Sequence, residues 1–152
     1  MAAGLNRPGK SAGGAKAAVQ LGIGLLALLR NEEVRRGLRG ASAGLRKWAD
    51  RRRVQLARTA REHRGPMVRL GERFGHASLE RRIDSLAAVT PEITAVHPEL
   101  ASELHTAEVD LRRALNVAHR MPTAQRWRAQ RAISGRLDEI EKSLVDAVLA
   151  PR

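Results

Sequence analysis

The chain contains no cysteine, which excludes disulfides, thiolate catalysis and cysteine-ligated metal. Aromatic residues are almost missing: there is no tyrosine, and only Phe74, Trp48 and Trp127 are present. Valine, isoleucine and threonine are sparse, while Ala, Leu, Arg and Glu dominate. That balance favours helix over strand. Long hydrophobic runs are lacking too. The one strongly apolar stretch, AAVQLGIGLLALL at 17–29, is 13 residues. As a helix it would reach roughly 20 Å, whereas a bilayer core of about 30 Å needs about 20 residues. A full membrane span is not expected. The RNEEVRR that follows offers no small-residue cleavage site, which argues against a secretory signal.

Acidic residues are scarce in the first half. Formal net charge is +12, from 28 Lys and Arg against 16 Asp and Glu. Residues 30–75 hold 14 basic and 5 acidic side chains, whereas residues 76–152 hold 11 of each sign. Arg7, Lys10 and Lys16 complete the surplus, which therefore stops near residue 75. Asymmetry of this kind points to a basic arm that meets an acidic surface, attached to an electrically balanced domain. A GC-rich genome would account for 24 Arg against 4 Lys, but not for where the surplus ends.

Periodicity then divides the chain. Residues 1–15, rich in Gly and Ala, read as a disordered basic tail. Residues 16–64 hold the apolar run and a long basic amphipathic helix expected over 32–64. In it Val34, Leu38, Ala41, Leu45 and Trp48 recur at steps of four and three. The next stripe position is Arg52, and the stripe resumes out of phase at Leu56 and Ala60. Gly37, Gly40 and Gly44 soften this helix by about 1 kcal/mol each relative to Ala. Gly65-Pro66 should end it. Residues 65–77 read as a linker with a short helix at 66–74, burying Met67, Leu70 and Phe74.

Residues 78–152 predict a helical bundle. Ser78 is the expected N-cap of a helix burying Leu79, Ile83 and Leu86. Thr90-Pro91-Glu92 and His97-Pro98-Glu99 are further start signals. A helix from Pro98 to about Arg120 carries Leu100, Leu104, Ala107, Leu111, Ala114 and Ala118 on one face. Met121-Pro122-Thr123 makes a turn. A last helix at 123–149 turns Trp127, Ile133, Leu137, Ile140, Leu144 and Val148 inward. These two long helices should form an antiparallel hairpin. The expected fold class is all-α.

Few chemistries survive inspection. GLNRPGKS at 4–11 fits the phosphate-binding pattern G-x-x-x-x-G-K-[ST]. That pattern works when a strand delivers the loop, a helix receives it and backbone N–H groups converge on phosphate. Here three residues precede it, Pro8 removes one N–H, and Ala12-Gly13-Gly14 is a poor helix start. GIGLLA at 22–27 lacks a preceding strand in the same way. The histidines His63, His76, His97, His105 and His119 form no H-x-x-x-H pair, and no Glu stands three before any of them. His105 and Glu108 suit a surface contact, and His97 suits a capping role. Asp138, Glu139 and Glu141 are expected on a solvated face. Arg112 and Arg113 can pair with Glu108 or Asp110 at helical spacing.

No catalytic constellation, metal site or cofactor is expected, and no small-molecule substrate. What remains is a dense positive surface on Arg46, Lys47, Arg51, Arg52, Arg53, Arg58, Arg61 and Arg64. Counterion release lets such a surface bind polyanions without reading sequence. Leu21, Leu25, Leu28, Leu29 and Trp48 supply an apolar anchor or partner face, which suits an anionic membrane surface or a partner helix. The reading is a non-enzymatic binding or scaffolding protein, cytoplasmic or peripheral on the inner face of the membrane. DNA or RNA is the alternative partner, and a second copy of the chain a further one.

Overall fold

The computed structural model describes residues 22–62 and 74–150, with 61 and 62 described by backbone alone. The tail at 1–15, the loop at 4–11, the apolar residues 17–21, His63, the Gly65-Pro66 stop and the helix at 66–74 (Phe74 excepted) lie outside those residues. Among the described residues every regular element is helical and there is no strand. They are α1 (Ile23–Arg30), α2 (Glu32–Arg39), α3 (Ala43–Glu62), α4 (His76–Ala87), α5 (Thr90–Thr94), α6 (Pro98–His119) and α7 (Thr123–Leu149).

Local chemistry sets the breaks. Gly22 enters α1 at φ 70°, a left-handed conformation that disfavours a side chain. Asn31 closes α1 and caps α2, its Oδ1 accepting from Glu33 N at 2.9 Å. Glu32 and Glu33 in the first turn of α2, and Arg36 and Arg39 in the last, complement the helix dipole.

The single helix expected over 32–64 is instead two. Gly40, Ala41 and Ser42 interrupt it. Ser42 Oγ accepts from Leu45 N at 3.2 Å and donates to the Glu92 carboxylate. A Cβ on Gly44 would collide with that carboxylate, so glycine leaves room for it at the start of α3. The apolar stripe nevertheless survives the break. Val34, Leu38, Ala41, Leu45 and Trp48 are all buried, with Trp48 Nε1 donating to Ser85 Oγ at 2.9 Å. Each Val or Leu side chain of the stripe withdrawn from water contributes about 1.5–3 kcal/mol. Ala60 departs from expectation, being exposed, while Leu56 is half-buried.

In the rear half, α6 and α7 occupy the expected spans and pack together across residues 120–122. α4 starts earlier than expected, at His76 with Gly75 as N-cap rather than at Ser78. Ser78 N instead donates to Gly75 O. His97 caps α6, its Nδ1 accepting from Leu100 N at 3.2 Å. Trp127 is 40% exposed rather than inward. It precedes Ile133 by six residues, a step that leaves the stripe of Ile133, Leu137 and Ile140 by about a third of a turn. The Arg131 guanidinium lies over its ring, 5.4 Å from the centroid.

α7 sits at the centre, against α1, α2, α3, α4 and α6. Side chains from all seven helices join one contiguous core. The basic front half and the balanced rear half therefore share their hydrophobic interior.

Candidate polyanion-binding face

α3 presents two unlike sides. Its inner side carries Leu45, Trp48, Ala49 and then Arg52, at the stripe position where the apolar pattern lapses. Arg52 stays on that inner side. Its Nη2 donates to the Glu141 carboxylate of α7, and the two side chains are 13% and 0% exposed. Arg82 of α4 approaches the same carboxylate, Nη2 to Oε2 at 2.7 Å, and also donates to Asp138 Oδ1 at 2.6 Å and Ser134 Oγ at 3.0 Å. Burial alone would lower the Arg82 pKa. Its hydrogen bonds and charge attraction to Glu141 and Asp138 outweigh that and raise it. A raised folded-state pKa on a cation stabilises the fold at ordinary pH, with the contribution lost only in strong alkali.

Glu141 corrects the solvated face expected for that carboxylate trio. It is fully buried, Asp138 is half-buried, and Glu139 alone of the three is exposed. α7 is flanked on several sides, so it buries a wider arc than one stripe, and Gln130, Ser134 and Glu141 fall inside that arc. The clue in the sequence is Arg52 itself, since a cation in phase with a core stripe demands a buried counter-charge.

The outer side of α3 is cationic. Arg46, Lys47, Arg51, Arg53 and Arg58 are exposed, with Asp50 and Val54 among them. Arg46 Nη2 donates to Arg39 O at 2.7 Å. Among the described residues Lys47, Arg51, Arg53 and Arg58 make no hydrogen bond or ion pair. The structure thus divides the eight predicted cations. It turns Arg52 inward, sets five on the outer face, and leaves the Arg61 side chain and Arg64 outside the described residues.

The predicted apolar face is placed differently. Leu25, Leu29 and Trp48 are buried in the chain's own core, Leu28 is half-buried against it, and Leu21 lies outside the described residues. No described helix is long and apolar enough to cross a membrane.

The remaining polar contacts are minor. His105 Nδ1 lies 3.8 Å from Glu108, and Arg113 lies 3.6 Å from Asp110. Arg112 joins Glu108 at 3.2 Å and Asp84 at 2.6 Å. The hydrogen bond that Arg112 donates to Asp84 raises the Arg112 pKa, burial opposes it, and Glu108 adds to the rise. No group of three or more metal-ligating side chains occurs among the described residues. A hollow of ≈ 580 Å³ lies beside Gly24, Leu28, Glu99 and Glu103, and a smaller one of ≈ 230 Å³ beside Arg52, Gln55 and Arg82. No family model, curated protein or solved structure matches the chain.

Proposed function

We propose that this is a non-enzymatic binding protein that holds a nucleic acid by its phosphates through the outer face of α3. One observation carries the reading: Lys47, Arg51, Arg53 and Arg58 stand exposed, with no ion-pair partner among the described residues, on a helix whose opposite side is anchored in the core. Cations on an anchored helix require no backbone ordering on binding, and their phosphate contacts release condensed counterions from the polyanion. On this reading the antiparallel α6–α7 pair is the scaffold on which the basic amphipathic helix rests, and neither cofactor nor substrate is required.

An anionic membrane surface is the second reading. Its support is Ile23, 57% exposed at the start of α1, together with the same cations. It is second because Leu25, Leu29 and Trp48, which would otherwise enter lipid, are engaged in the core. A cytoplasmic location, at the inner membrane face under the second reading, goes with both proposals.

The two are separated by offering the full chain a short DNA duplex and, in parallel, phosphatidylglycerol vesicles. The account expects the duplex to be retarded in a gel and released as salt rises. Vesicle binding that weakens with Ile23→Glu, at the exposed start of α1, without DNA binding, would move the membrane to first place. Failure to bind either polyanion would overturn the proposal.

A further inference from the structure

Over residues 46–58 the cations of α3 are not scattered over its outer side. At about 100° per residue, Arg46 and Arg53 fall on one flank, seven residues and about two turns apart. Lys47, Arg51 and Arg58 fall on the other flank, at steps of four and seven. The two rows lie roughly 130° apart around the axis. Between them runs a strip of Asp50, Val54 and Ala57, all exposed, with Val54 at 56%. Over residues 46–58 the crest of the helix is therefore small and uncharged apart from Asp50, and the positive charge sits on its shoulders. The hydrogen bond from Arg46 to Arg39 O secures one shoulder at its N-terminal end.

Resting on the nucleic-acid reading above, we propose that α3 docks in the major groove of B-form DNA, each cationic row against one of the two phosphate backbones. A helix with its side chains is about 10–12 Å across, and the major groove is about 12 Å wide. The minor groove, about 6 Å wide, excludes it. The A-form RNA major groove is too narrow and deep to be entered. A single strand offers one backbone and leaves one row idle. A flat lipid surface would meet the uncharged crest before either shoulder. Toward the base edges the strip offers the Val54 methyls, which suit a thymine methyl, and the Asp50 carboxylate, which can accept from cytosine N4. These are few contacts, so binding is expected to follow duplex shape more than sequence.

The test uses the full chain and fluorescence anisotropy with a DNA duplex, an RNA duplex of the same sequence and the single DNA strand, each across a salt series. DNA duplex binding should be the tightest, by roughly tenfold or more. Its logarithm should fall against log salt with a slope of about −4 to −5, as expected for about five phosphate contacts. Arg53→Ala and Arg58→Ala, one from each row, should each reduce that slope by about 0.9. Val54→Trp changes no charge and fills the strip at a solvent-exposed site. It should weaken the DNA duplex about tenfold without weakening the single strand, whose bases can stack on the indole, with circular dichroism checking that the fold is retained. Equal affinity for all three nucleic acids, with Val54→Trp silent, would overturn groove docking and leave charge-based binding in place. Binding to no nucleic acid would overturn both, and binding confined to phosphatidylglycerol vesicles would overturn groove docking and assign the face to lipid.

Discussion

Arg52 is the residue on which the two sides of α3 turn. It occupies a core position, carries a charge, and is matched by Glu141, a carboxylate with no exposed surface. Removing one member of a buried pair typically costs about 3–5 kcal/mol, because the other charge is left without compensation. Glu141→Leu strips the shared partner from both Arg52 and Arg82, so it should destabilise the fold by about that much in urea denaturation. Combining it with Arg52→Met should restore part of the loss, because Arg82 keeps Asp138 and Ser134 while the buried Arg52 charge is gone. Additive losses in the double variant would mean that Arg52 and Glu141 do not act as a pair.

At the scale of elements, α1 separates the two uses of the apolar run. Leu25 is 1% exposed and Leu29 is 3%. Leu25→Ala should therefore cost about 2–5 kcal/mol of stability, read by chemical denaturation. If the run served lipid instead, the same change would leave stability intact and reduce vesicle binding. Much at this scale was legible in the sequence. Steps of three and four located α6, the length of α7 and the buried stripe through α2 and α3, because one-sided burial leaves a periodic trace. The break at Gly40–Ser42 was less legible. It depends on Ser42 and Glu92, fifty residues apart, and three glycines alone signal softness rather than a stop. Glu141 was misread because a single stripe describes a helix packed on one side, whereas α7 is packed on several at its centre; Trp127 was read inward although it stands about a third of a turn off that stripe.

At the scale of the whole molecule, the charge surplus of the first half survives folding. The rear half offers Glu141 to Arg52, yet among the described residues it supplies no partner to Lys47, Arg51, Arg53 or Arg58. One core joins both halves, so the cations stand on a rigid support rather than on a loose arm. The site was thus legible as a cluster of basic residues, but which of them face solvent was not, because that depends on the phase of α3 against α7. The central claim is that these four outward cations hold a polyanion. It is tested most directly by the salt dependence of DNA duplex binding for the natural chain and for a variant with Lys47, Arg51, Arg53 and Arg58 all replaced by Gln. The slope of log affinity against log salt should become shallower by about 3.6 in the variant, at about 0.9 per contact. An unchanged slope would contradict it.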